Sequence, residues 1–244
     1  RVRSSAASDV YKRQTLDRGT TQTLIEHGIR ADYIAHGASN KDAEYVTALI
    51  EDQRDALEKA FEFVKGNRKL TTSYIKELHV GLTRHQKTLT VKDQFGNLFE
   101  TPLSHGEWKQ QPNNPYRSDG SLAIEYAPPI HTASEIDRLI EMHTAHASLN
   151  LPPEIEAAWL HHRFTQIHPF QDGNGRIART LASIVFIKAG LFPTLITSEI
   201  RAEYIQALEE ADTGYEKPLI DLFTNRQAQS MLMALDSTRS HLEG

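Results

Sequence analysis

The sequence predicts a mainly α fold, a helical bundle with a small β-hairpin flap. Three observations predict it. Apolar residues recur at helical spacing along most of the chain, the hairpin-like pattern falls at residues 88–101, and turn-forming residues crowd into 104–129. At 244 residues the chain is long enough for one large domain. With 39% hydrophobic and 24% charged residues its composition is that of an ordinary globular protein, which excludes collagen and bulk disorder. The absence of cysteine excludes a disulfide framework, a cysteine nucleophile and a thiolate metal site. A net charge of −5 with no basic-aromatic stripe argues against nucleic acid as a partner. No apolar stretch approaches the roughly 20 residues that span a bilayer, so no membrane association is expected.

Taken in order, residues 1–14 (RVRSSAASDVYKRQ) are basic and lack an apolar core, so they are not a secretory signal. The string resembles a translated sequencing-adapter read and is expected to be a non-native or disordered tail, with an upstream segment lost in the former case. Residues 15–70 form an N-terminal helical extension. Within it, Tyr45, Leu49, Ala56, Ala60, Phe61 and Val64 follow a period near 3.6, and Gly66-Asn67 stops the helix. Thr71 or Thr72 caps the next helix, which carries Ile75, Leu78 and Leu82 on one face. Residues 88–91 and 98–101 flank a Gly96-Asn97 turn, a hairpin signal. Residues 104–129 hold Gly106, Pro112, Asn113, Asn114, Pro115, Gly120, Pro128 and Pro129, which predicts a flap with two short strands around Trp108 and 122–126. Helices resume at 135–148 with Ser134 as cap, at 153–167 with Pro153 in the first turn, and from Asn174 to Lys188, ended by Gly190. Further helical patterns cover 198–212 and 218–240. The core domain is placed at 71–215 with its flap at 104–129, and 216–244 is a C-terminal helix.

Residues 168–179 read HPFQDGNGRIAR, a junction between two helices. His168 precedes a proline, which drives it out of the helical region. Phe170 is apolar in a polar loop and anchors that loop to the core. Gly173 and Gly175 remove side chains where backbone must come close to something. Asn174 can cap the helix that follows. That helix begins with unpaired N–H groups and a positive dipole end, a ready anion site. Arg176 and Arg179 lie one turn apart, and their side chains lean back toward the same end, so two guanidinium forks converge on one anion. Asp172 is a hard oxygen ligand suited to Mg²⁺ shared with phosphates. His168, with a reference pKa of about 6.5, is substantially neutral near pH 7 and can accept a proton. Any one of these features fits a capped helix with a surface histidine and two solvated arginines. All of them within twelve residues describe phosphoryl or nucleotidyl transfer to a hydroxyl.

The string resembles the signature of the Fic family, HPFx(D/E)GNGRxxR. Every fixed position matches and Gln171 fills the free one. His161-His162-Arg163-Phe164 and Ile167 ahead of it, and the proline-punctuated flap, are also similar to that family. The resemblance implies the Fic fold and a protein adenylyltransferase moving AMP from ATP to a Ser, Thr or Tyr hydroxyl. It implies His168 as general base and Asp172 as the Mg²⁺ ligand. It implies Gly173, Asn174 and Gly175 as the anion hole, with Arg176 and Arg179 on the outer phosphates. It implies a target protein docking on the flap at 106–126 by strand addition, in the cytoplasm. The related Doc-type kinases carry a lysine where this chain has Gly175, which favours AMP transfer over phosphorylation and leaves phosphocholine transfer open. De-AMPylation of a modified protein, and a regulatory or binding module on an inactive Fic fold, are the competing functions; the intact motif speaks against the second. A homodimer is compatible with all of them.

Many Fic proteins carry an inhibitory helix with the pattern (S/T)xxxE(G/N), whose glutamate pairs with the second motif arginine, here Arg179. Thr47–Glu51 has the spacing but Asp52 follows, and Ser73–Glu77 and Ser121–Glu125 are followed by Leu78 and Tyr126. The absence of a clean match points to a separate inhibitory protein, a degenerate switch built on Glu44 or Glu51, or loss with a missing N-terminus. Among the twelve histidines, His143 with His146 and the group His161, His162 and His168 have metal-compatible spacing. His161 falls on the stripe of Ala157, Leu160 and Phe164, so a hydrogen-bonded core histidine is expected there. Lys109 and Arg117 are expected to be solvated flap charges, Trp108 a flap anchor and Trp159 a core residue.

Overall fold

The computed structural model describes residues 42–92, 97–116, 121–197 and 199–242. The expected tail at 1–14, the extension before 42, and Gly96, Arg117 and Gly120 lie outside the described residues. Helix α1 (Ala43–Lys65) starts at Asp42, whose carboxylate accepts from Tyr45 N–H, and stops at Gly66. Helix α2 (Thr72–Leu82) starts at Thr71, whose hydroxyl oxygen accepts from Tyr74 N–H. Both caps satisfy first-turn donors that the helix itself cannot. Strands β1 (Thr88–Lys92) and β2 (Leu98–Pro102) pair antiparallel, with Thr88 opposite Pro102 and Lys92 opposite Leu98.

The flap departs from expectation. Its described part has an isolated bridge between Tyr116 and Leu122 and a 3₁₀ turn at Pro129–His131, and no strand around Trp108. Helix α3 (Thr132–His146) grows directly out of that 3₁₀ turn, so Ser134 is not its cap; its hydroxyl donates to His131 O instead. Helices α4 (Pro153–Ile167), α5 (Asn174–Lys188), α6 (Arg201–Asp212) and α7 (Lys217–Leu242) follow.

Helices α4 and α5 pack against each other and are buried on two sides. On one side Leu160, Phe164, Ile177 and Leu181 join Ile75, Leu78, Ile136 and Leu139 from α2 and α3. On the other, Ala157, Ala158, Ala182 and Phe186 meet Tyr204 from α6 and Leu219 and Phe223 from α7. The site motif therefore joins the two most enclosed helices. The buried stripe of α1 is Asp52, Ala56, Ala60 and Phe63, and the expected Phe61 is 47% exposed. Phe63 takes its place because it stacks on Tyr74 of α2, with ring centroids 4.1 Å apart.

Asp52, the residue that breaks the inhibitory pattern, is a fully buried structural acid. It accepts from Arg84 Nε at 3.0 Å, His85 N–H at 3.0 Å and His85 Nδ1 at 2.9 Å. It thereby fixes the turn after α2, immediately before Gln86. Asp52→Ala is expected to cost about 1–3 kcal/mol, because it strands donors at that turn. An unchanged urea midpoint would contradict this tie.

Candidate active site

Helix α4 ends at His168, whose φ of 49° and ψ of 58° are left-handed. The following proline excludes the right-handed helical region, and histidine tolerates the left-handed one better than most side chains. The chain then turns inward. Phe170 is fully buried, stacked on His79 at 3.9 Å between centroids and flanked by Trp108 at 4.8 Å. Asn174 closes the loop from the far end: its Oδ1 accepts from Phe170 N–H at 2.9 Å and its Nδ2 donates to Phe170 O at 2.8 Å. The expected capping role of Asn174 is thus replaced. As the first residue of α5 it leans back into the loop, and the N-cap is Gly173 at φ 80°, with no side-chain cap bond. A Cβ on Gly173 would lie 3.0 Å from Thr83 Cγ2, so both conformation and space demand glycine.

The backbone N–H groups of Asn174, Gly175 and Arg176 have no protein partner among the described residues, and they open α5 at its positive end. Asp172 sits beside them. Its Oδ1 accepts from Gly173 N–H at 2.7 Å and its Oδ2 from Gln86 Nε2 at 2.6 Å. Each oxygen keeps a lone pair, so Asp172 can still bind a hard cation. No group of three His, Cys, Asp or Glu that could cage a metal occurs among the described residues. Arg176 donates from Nη1 to Leu82 O at 2.7 Å and from Nη2 to Gln86 Oε1, tying α5 to the end of α2. Burial lowers its pKa, though not to a point where it loses charge. Arg179 lies one turn on, and no ion pair joins it to a carboxylate among the described residues. A Cβ on Gly175 would come within 3.3 Å of Arg179 Nη1. Glu44 is exposed and Glu51 half-buried on α1.

The half-buried His168 ring stacks flat on Tyr126, with centroids 3.9 Å apart. Its Nδ1 faces Thr165 O at 3.2 Å. A carbonyl only accepts, so the proton is on Nδ1 and Nε2 keeps its lone pair. Burial, and then the Lys109 ammonium, push its pKa down to about 3, so the ring is fully neutral at physiological pH.

Several residues at the site had no clear signal in the sequence. His79 Nδ1 accepts from Gly106 N–H at 2.8 Å, which leaves Nε2 to donate to Asp172 O at 3.2 Å. One neutral ring thus joins the flap to the loop at Asp172, and burial holds its pKa down at about 4. Its position was legible in retrospect: it shares the buried face of α2 with Ile75 and Leu82. Gln86 and Tyr126 carried no such pattern. Lys109 is the clear correction, because it is buried, at 2% exposure, rather than solvated. Trp108 does anchor the flap, and His161 is a core histidine whose Nε2 meets the Tyr204 hydroxyl at 2.9 Å. His143 and His146 both turn Nδ1 onto Glu156, at 2.6 and 2.7 Å.

Residues 69–186 match the model of the Fic/DOC family. The chain is 30% identical over 92 residues to the protein adenylyltransferase fic-1 of Caenorhabditis elegans, covering 38% of this chain and 18% of that protein. It is 50% identical over 66 residues to a Fido domain-containing protein of Dictyostelium discoideum, covering 27% of this chain and 46% of that one. The chain therefore spans less than half the length of these relatives. A Fic-domain-containing signalling protein from Bacteroides thetaiotaomicron superposes with a TM-score of 0.72 at 25% identity, over 97% of this chain and 85% of that one.

Burial of neutral histidines makes stability depend on pH. The pKa values of His79 and His161 are held at about 4 and about 3, whereas the unfolded chain takes up those protons near pH 6.5. The stability from neutral burial is therefore complete above about pH 6.5 and is lost as pH falls toward 4. Urea unfolding between pH 7.5 and 4.5 is expected to show this decline, and His161→Gln should flatten it. A slope unchanged by that substitution would contradict the assignment.

Proposed function

We propose that this chain, whose residues 69–186 carry a Fic/DOC domain, is a protein adenylyltransferase. The observation that carries the proposal is the pairing, in one loop, of a neutral imidazole with an open Nε2 and a helix start with three unpaired N–H groups. A target hydroxyl oxygen attacks the α-phosphorus of ATP, the bond to the pyrophosphate oxygen breaks, and the hydroxyl proton passes to His168 Nε2. The N–H groups of Asn174, Gly175 and Arg176 receive phosphate oxygens, and Arg179 is available for the outer phosphates. Mg²⁺, when bound through Asp172, supplies neutralising charge on the phosphates.

Gly175, where the related Doc-type kinases carry a lysine, supports AMP transfer over phosphorylation; a Cβ there would already lie 3.3 Å from Arg179 Nη1. No glutamate is placed against Arg179 among the described residues; an inhibitory protein partner would act at this arginine. A target protein would dock an extended segment on the flap at 106–126 by strand addition, which uses main-chain hydrogen bonds. A reaction that consumes ATP fits the cytoplasm.

Incubation with α-labelled ATP, Mg²⁺ and candidate proteins, the chain itself included, tests the activity. Label is expected on a protein hydroxyl; nucleotide binding without any transfer would overturn it. His168→Ala should lower transfer by about 10²–10⁴ while ATP affinity holds. Near-normal transfer by that variant would remove the base from the mechanism. Arg179→Ala should weaken ATP binding more than AMP binding, and equal losses would place it elsewhere than on the outer phosphates.

A further inference from the structure

Four consecutive carbonyls of the motif loop accept from one pair of flap residues. Lys109 Nζ donates to Ile167 O at 3.1 Å, and Lys109 N–H to Pro169 O at 2.8 Å. Asn113 Nδ2 donates to His168 O at 3.4 Å and to Phe170 O at 2.8 Å. The two are joined to each other, Lys109 Nζ donating to Asn113 Oδ1 at 3.0 Å. The ammonium also lies 5.7 Å from the centroid of Tyr126, the ring that stacks on His168.

From this geometry we infer that Lys109 and Asn113 form a clamp that positions the His168 imidazole, holding the backbone on which its orientation and tautomer depend. The inference builds on the base role of His168 proposed above. The physical case begins with cost. A buried ammonium without a carboxylate partner is an expensive group, and an apolar side chain of similar volume is often neutral or stabilising in such a place. No ion pair to Lys109 occurs among the described residues, and its ammonium donates to Ile167 O and to Asn113 Oδ1. Its strain-bearing neighbour supplies the reason. His168 is a non-glycine residue in the left-handed region, a conformation that persists only when its surroundings over-determine it. Bonds to the carbonyls on both sides of it, 167 to 170, do that. They also keep Thr165 O and the ring in the register that leaves the proton on Nδ1. The lysine acts through the loop backbone and Asn113 and makes no hydrogen bond to the His168 ring, so it is a positioning residue.

The test compares Lys109→Met, Lys109→Arg and Asn113→Ala in the full chain with two readouts. The first is the imidazole ¹⁵N spectrum of His168 in ligand-free protein, which reports the tautomer without any activity. The wild type is expected to show a single Nδ1–H form, Lys109→Met a mixture, and Lys109→Arg a form closer to wild type. The second is AMP transfer, where Lys109→Met should lower kcat by about 10- to 100-fold with KM for ATP nearly unchanged. Asn113→Ala should act in the same direction, and the double variant should be no worse than the poorer single, as members of one unit behave. Asn113→Ala carries the test should Lys109→Met fail to fold. A lowered melting temperature with tautomer and kcat unchanged would make the pair merely structural and overturn the inference. If the wild type transfers no AMP, the proposed function fails, while the tautomer comparison still decides the clamp.

Discussion

A polar loop has to live between two apolar helices, and that requirement organises the site. Residues 168–173 interrupt α4 and α5 at the point where both are most enclosed, so their backbone groups must find partners in protein. The partners come from elsewhere in the chain. Lys109 and Asn113 reach in from the flap, His79 and Gln86 from the region of α2, and Asn174 from the start of α5. The first N–H groups of α5 remain unspent among the described residues, and with the lone pairs of His168 Nε2 and of the Asp172 carboxylate they are the available chemistry of the loop.

The electrostatics point the same way. In a chain of net charge −5, this loop gathers Lys109, Arg176 and Arg179 around a single carboxylate of its own, Asp172. Two histidines that could have added positive charge are kept neutral by burial, His79 as a bridge and His168 with its Nε2 lone pair open. Fixed cations and helix-start amides therefore set the local field, and histidine charge does not compete with them.

Much of this was legible in the linear chain, because local rules act locally. Proline after His168 forced the end of α4, glycine at 173 and 175 marked close approach, and Pro153, Thr71 and Gly66 set helix ends where they fall. The misses share a cause. Whether Lys109 is solvated, whether Asn174 caps or turns inward, and whether Phe61 or Phe63 is buried depend on what stands across from them, and one-dimensional periodicity holds no such information. Ser134 failed as a cap for the same reason: a 3₁₀ turn had already started the helix. His79 falls between these cases, since its burial followed from the stripe of α2 while its link from flap to loop did not.

The flap's dual attachment matters to anyone who would redesign it. Residues 104–129 hold both the ring under His168, through Tyr126, and the donors to its backbone, through Lys109 and Asn113. Swapping the whole segment would rebuild the surroundings of His168 along with the proposed docking surface. Grafts confined to positions 121–125, with 109, 113 and 126 retained, would separate the two.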